Sequence, residues 1–207
     1  MELYEAIEKR RTIRDFEDKP VDMEIIKKII AAGLKAPTNN HLREWEFVIV
    51  NDKKERSKVL NLTDMTSYDE CEKMMDSFGM TDSDQRGMYH IAMPKQFSML
   101  YNSGCLILPF FKLREPLLQP TCLSSLNEFA SIWLCIENML LAAAAEGIFG
   151  VTRIPMTEEL EHIKKVVNHP DNYAMPCYIA LGYPSKNAKV PVQKEINVED
   201  RLHFNQW

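Results

Sequence analysis

Ala36 to Val50 reads APTNNHLREWEFVIV, a helix end, a polar loop and the start of a strand in fifteen residues. Upstream, Ile25, Ile26, Ile29, Ile30 and Leu34 recur at helical spacing behind Asp22, whose carboxylate suits an N-cap. That pattern stops at Ala36 and Pro37. Thr38, Asn39, Asn40 and His41 form the loop, and Trp45 leads into Phe47, Val48, Ile49 and Val50. The apolar run there is continuous rather than alternating, so the strand is expected to be buried.

Further upstream, Leu3 and Ile7 supply the apolar face of a short helix with Glu8 and Lys9 toward water, and Arg10, Arg11 and Arg14 close it. Guanidinium groups are planar, permanently charged forks that bind phosphate oxygens in pairs. Such a cluster is expected to hold a dianionic phosphate, which points to an enzyme with a phosphorylated cofactor. The alternative is a solvated face, or pairing with Asp15, Glu17 and Asp18.

Downstream, Leu62 to Gln96 is charged and Met-rich, with Ser67 to Glu70 as a capping box before a short helix. Met74, Met75, Phe78, Met80, Met88, Tyr89 and Met93 suit either a flexible apolar lid over a flat ring or a core of their own, because thioethers adapt to irregular surfaces. Cys105 to Phe111, CLILPFF, reads as a second buried strand. A long helix follows, with Ser125 as its cap and Glu128 reaching back, running through Ile132, Ile136, Met139 and four alanines to Glu146. About 20 residues make a rod roughly 30 Å long. It is apolar on more than one face, so it is expected to be buried nearly all round, in the core or between two subunits. A further helix starts at Thr157, with Lys164, Lys165 and His169 at the negative end of its dipole.

The chain has 207 residues, 45% hydrophobic and 27% charged, which suits one soluble domain with a sizeable core. A net charge of -5 argues against sequence-independent nucleic-acid binding. Cys71, Cys105, Cys122, Cys135 and Cys177 are odd in number and include no C-x-x-C pair, so they read as reduced thiols of a cytoplasmic protein. Glu2, Glu5 and Glu8 stand where a signal peptide would be basic, and no uncharged run approaches the roughly 20 residues of a membrane span. The chain shows no G-x-G-x-x-G after a strand, no P-loop, no H-E-x-x-H or paired-Cys metal site and no nucleophile motif.

Ile7 to Phe16, IEKRRTIRDF, and Ala36 to Val50 resemble the FMN-dependent nitroreductase family, whose members open on Arg-Arg-Ser-x-Arg-x-Phe and carry an Ala-Pro-Ser-x-x-Asn-x-Gln-Pro-Trp loop. Glu137 to Gly147, Met175 to Pro184 and His203 to Trp207 resemble its central helix, last core strand and C-terminal tail. His41 stands for the usual Asn, Arg43 for Gln and Glu44 for Pro. The resemblance implies an α+β fold of α/β/α type, a central, mostly antiparallel sheet flanked by helices, in a single domain over residues 1–207. It also implies a homodimer with flavins at the subunit interface, a variable lid over about 62–96 and an exchanged C-terminal arm over about 185–207.

On this resemblance Arg10, Arg11, Thr12 and Arg14 hold the phosphate, while Pro37, Thr38, Asn39, Asn40 and His41 line the ribityl chain and ring edge. A backbone N–H reaches flavin N5 from the segment around Ile154 and Pro155; Pro155 has none, which leaves Arg153, Ile154 or Met156. Lys194, or Lys189 in its stead, is the basic residue of the arm on the phosphate. The implied activity moves hydride from NADH or NADPH through FMN to a small flat electron-poor acceptor, a nitroaromatic or quinone, by ping-pong turnover. The alternatives are reductive dehalogenation, oxygen-dependent cleavage of flavin, or a flavin-binding dimer without turnover. Neither a metal, a nucleic acid nor a membrane partner is implied.

Overall fold

A computed structural model of the protein describes residues 2–207. Its elements are α1 (Leu3–Lys9), α2 (Met23–Gly33), β1 (Trp45–Val50), α3 (Lys53–Val59), α4 (Tyr68–Ser77), α5 (Ser83–Ala92), α6 (Ser98–Tyr101), β2 (Cys105–Lys112), α7 (Asn127–Ala145), β3 (Phe149–Arg153), α8 (Thr157–Val167), β4 (Tyr173–Ala174) and β5 (Tyr178–Gly182). The sheet runs β1-β2-β5-β3 with every neighbouring pair antiparallel, and β4 adds to β2.

Period-two alternation divides the core into two layers. Ile107 and Phe111 of β2 and Ile179 and Leu181 of β5 face α2 and α7, packing with Ile26, Ile29, Ile132, Ile136 and Met139. Leu106, Leu108, Phe110, Tyr178 and Ala180 face the other way, against Val59 of α3, Leu100 of α6 and Ile163 of α8. Helices therefore cover both faces, as the α+β expectation requires. The Met-rich segment has a smaller core of its own, in which buried Cys71, Met75 and Met93 pack with Met65, Met74, Met80 and Tyr89. Ser67 caps α4 by accepting from the Glu70 N–H at 3.4 Å.

Several local expectations are corrected. The helix α1 ends at Lys9, so Arg10 is its C-cap and Arg11 to Arg14 lie beyond it. Leu3 and Ile7 are 63% and 44% exposed, and of this helix only Ala6 is buried. The helix α2 ends at Gly33, before Ala36. Strand β1 lies at the sheet edge and exposes Glu46, so it is not buried on both faces. Ser125 does not cap α7: its Oγ accepts from the Cys122 N–H inside the 3₁₀ turn Leu123–Leu126, which runs straight into the helix. Leu126 already has helical dihedrals there, and Glu128 turns to Arg114 at 2.9 Å instead of reaching back. Nor is α7 covered all round, since Ala130, Leu134 and Glu137 are exposed on one stripe. Leu123–Ala145 is long and apolar enough to cross a membrane by length and composition; here it packs on α2 and the sheet.

Candidate functional site

The chain leaving α1 adds to the sheet edge. Thr12 bridges Gly150 of β3 in parallel sense, and the Ile13 N–H donates to the Gly150 carbonyl at 3.1 Å. Glycine is needed there because a Cβ at position 150 would lie 2.4 Å from the Ala180 carbonyl oxygen. This pairing puts Arg10, Arg11 and Thr12 on one wall of a cavity of about 220 Å³ whose other wall includes Trp133, Ile136 and Leu140 of α7. Arg10 stands 3.4 Å from the Glu137 carboxylate, and Arg11 donates to the Arg10 carbonyl at 3.1 Å.

Arg14 is separated from the other two. It lines an adjoining cavity of about 280 Å³ with Met88, Tyr89, Met93, Met99 and Ile154, under the α5 segment. Val151 and Thr152 border both cavities. Arg14 Nε is buried without a hydrogen-bond partner. Burial pulls this guanidinium below its ordinary value, against the opposing pull of the Asp15 carboxylate. That carboxylate is already engaged by Lys95, whose Nζ donates to its oxygens at 2.6 and 2.5 Å. The positive charge of Arg14 therefore lacks a close counter-ion, the condition of a cation built for an incoming anion or electron-rich group.

The loop after α2 lies elsewhere. Asn39 accepts and donates there: its N–H donates to Ser131 Oγ at 3.1 Å, and its side chain contacts Glu128 and Asn127 at 3.5 Å. Asn40, His41 and Arg43 hold positive φ values of 52°, 57° and 44°. Left-handed backbone at a non-glycine residue is uncommon, and a run of it marks a loop held in shape by its surroundings. Arg43 contributes to that hold by donating from Nε to the Leu34 carbonyl at 3.0 Å. Pro37, Asn40 and His41 are exposed, Thr38 half-buried. Ser131 and Glu137 are six residues apart on α7, about 9 Å along its axis, and within one chain the loop shares neither arginine cavity.

Beyond β3, Ile154 is exposed and Pro155 buried. The Met156 N–H donates to Glu159 Oε2 at 2.7 Å, so among the N–H groups named from sequence it is already committed. The same carboxylate receives Arg153 Nη1 at 2.7 and 2.9 Å. This buried pair was not foreseen; a Glu three residues into a helix that follows a Pro is the sequence signal that could have found it. Lys194 is 70% exposed and 3.7 Å from Asp82, lining an open cleft with Arg11 rather than the arginine cavity. Lys189 is exposed. Burial pushes the thiols of Cys105 and Cys135 up to about 12, so neither is a nucleophile. Among the described residues no His, Cys, Asp and Glu gather into a metal-binding group.

The sequence model of the nitroreductase family matches residues 7–183. An iodotyrosine deiodinase of Haliscomenobacter hydrossis is 25% identical over 191 residues, 92% of this chain and 82% of that protein. A Methanothermobacter thermautotrophicus protein provisionally named NADH dehydrogenase/NAD(P)H nitroreductase is 24% identical across 100% of this chain and 88% of its own length. The crystal structure of oxidised iodotyrosine deiodinase bound to FMN and 3-iodo-L-tyrosine superposes with a TM-score of 0.71 at 21% identity, covering 100% of both chains. With the paired arginine opening, the strained loop after α2 and the β1-β2-β5-β3 sheet all inside the matched span, this chain belongs to the nitroreductase family.

Proposed function

We propose that the protein is an FMN-dependent oxidoreductase that takes hydride from NADH or NADPH and passes it to a flat electron-poor acceptor, a nitroaromatic or a quinone. The observation that carries this reading is Arg14, a half-buried guanidinium with an orphaned Nε beside a cavity lined by Arg10, Arg11 and Thr12. These residues fit a phosphorylated cofactor with an electron-rich ring, since each anionic part would meet a cation that lacks full compensation.

When bound, FMN supplies the hydride chemistry, and the protein supplies binding, orientation and electrostatics. Arg10, Arg11 and Thr12 would bind the phosphate. Arg14, on the lid side of β3, would favour negative charge beneath the lid. With the Met156 N–H already given to Glu159, the backbone N–H groups that would remain for N5 are those of Arg153 and Ile154. Met88, Tyr89 and Met93 would exclude water from the face on which reductant and acceptor alternate. The overall reaction this would support balances as NAD(P)H, a quinone and one solvent proton going to NAD(P)+ and the quinol.

The reading includes a homodimer. Pro37, Thr38, Asn39, Asn40 and His41 do not meet Arg10 to Thr12 in one chain, so a second copy would have to bring the loop to the cavity. Exposed Leu3 and Ile7 of α1, Leu134 of α7, and Val192, Phe204 and Trp207 of the arm support such an interface. Free cysteines support a cytoplasmic setting. Names of relatives favour one second reading, reductive dehalogenation of an iodinated aromatic.

The test is the visible spectrum of the purified protein, repeated after anaerobic NADH or NADPH. A flavin band that bleaches, and returns with menadione, is expected. A protein that cannot be loaded with FMN would overturn the proposal, and iodide released from 3-iodo-L-tyrosine faster than menadione is reduced would replace it with the second reading.

A further inference from the structure

The lid is joined to the cofactor side of the pocket at one short segment. The helix α5 ends at Ala92, the 3₁₀ turn Met93–Lys95 follows, and Gln96 comes next. Gln96 Nε2 donates to the Ala92 carbonyl at 2.9 Å, while its Oε1 accepts from Arg153 Nε at 2.7 Å. Arg153 in turn gives Nη1 to both oxygens of Glu159, and the two side chains are only 12% and 5% exposed. Glu159 also receives the Met156 N–H. Both flanks of Ile154–Pro155 are thus tied to a single carboxylate, and the guanidinium in that tie is held by the lid.

Charge is already balanced within the Arg153–Glu159 pair, so the neutral amide of Gln96 adds no counter-charge. What it adds is direction, because a bond to Nε fixes the plane of the guanidinium. Met88, Tyr89 and Met93 of the same lid segment line the pocket. A flat molecule wedged beneath them would move Ala92 to Gln96, and with it Arg153. Lys95 makes the matching tie on the other wall, to Asp15 next to Arg14. The lid has its own core around Met75 and does not need Gln96 to fold.

We propose that Gln96 is a positioning residue that couples the lid to the backbone at Ile154, so that an aromatic molecule under the lid alters the environment of the flavin. This rests on the reading of the pocket as an FMN site.

The experiment uses FMN-loaded wild type, Gln96→Met, Gln96→Glu and Arg153→Lys, with benzoate as an unreactive flat probe. Three quantities are read: FMN dissociation, the benzoate-induced change in the flavin absorption band, and the difference in reduction potential with and without benzoate. Gln96→Met is expected to keep FMN as wild type does, because Arg10, Arg11 and Thr12 are untouched. Its affinity for benzoate, read from the absorption change, should fall by about fivefold, the worth of one hydrogen bond, and the benzoate-dependent shift in its potential should shrink accordingly. Arg153→Lys, which loses Nε and keeps a cation for Glu159, should behave alike. Gln96→Glu, which still accepts from Arg153 but cannot donate to the Ala92 carbonyl, should recover only part of the response. A wild-type benzoate response in FMN-loaded Gln96→Met and Arg153→Lys overturns the coupling alone, whereas a wild-type protein that takes up no FMN overturns the site reading and the coupling with it.

Discussion

At Arg14 the chain leaves a guanidinium nitrogen buried and unpaired, a state that folding tolerates only where another gain offsets it. Arg10 is different, since Glu137 stands 3.4 Å away and both groups reach water. Arg14→Ala is therefore expected to leave the unliganded protein as stable as wild type, or slightly more so, and to weaken FMN retention at least tenfold; chemical denaturation and equilibrium dialysis read the two effects. Arg10→Ala should weaken retention while changing stability little, because exposed ion pairs contribute about 0–1 kcal/mol. Glu159 behaves as the opposite case. Replacing it by Gln leaves Arg153 buried without its charge partner and the Met156 N–H with a weaker acceptor, and a cost of about 3–5 kcal/mol is expected in urea. Arg10, Arg11 and Arg14 were legible in the sequence as a cationic cluster, because three like charges within five residues call for an anion. Their division between two cavities was not legible, because it depends on which side of Val151 each side chain emerges.

Elements show the same limits. The helix α2 was readable from its isoleucine spacing and from Asp22, which accepts the Glu24 N–H at 2.7 Å. The cap of α7 was misread because a 3₁₀ turn ahead of a helix carries the same Ser and Glu signals as the helix start itself. Where β3 and β5 meet, Gly150→Ala would push a methyl group onto a backbone oxygen 2.4 Å away. The sheet would have to open there, so a loss of about 3 kcal/mol is expected by thermal unfolding, together with a displaced Thr12. In the Met-rich segment, α4 and α5 are tied by Glu72, which meets Arg86 and His90 at 2.5 Å, and by Asp76, which meets Arg86 at 2.8 Å. The hydrogen bond from Arg86 holds the Glu72 carboxyl below its ordinary value of 4.5. A carboxylate depressed in this way contributes stability above its unfolded value and loses it as pH falls through the lower folded one. Limited proteolysis with pepsin should thus find α4 and α5 opening ahead of the sheet as pH is lowered below 4.5, and Glu72→Gln should open them at neutral pH.

For the molecule as a whole, the apolar residues that one chain leaves in water make the oligomeric state the informative quantity. Light scattering is expected to give twice the chain mass of 24.0 kDa, and truncation at Pro184 should reduce both dimer and bound flavin; a monomer that retains FMN tightly would contradict the shared site. The sequence by itself determined the layers. Apolar patterns are local: the continuous run Cys105 to Phe111 marks β2 as buried on both faces, and the isoleucine spacing marks the inward face of α2. Residue types in order were also enough for the family, whose sequence model matches residues 7–183. Only the tertiary structure decided that Arg14 and Arg10 serve different cavities, that Glu159 and Gln96 anchor the segment around Ile154, and that the loop of residues 37–41 does not reach the arginines of its own chain. Those facts turn on through-space distances between segments far apart in sequence, from Asp15 to Lys95 and from Gln96 to Arg153. No local pattern encodes them, because hydrogen bonds of this kind are chosen by how the packed sheet and helices place their ends, after the apolar layers have closed.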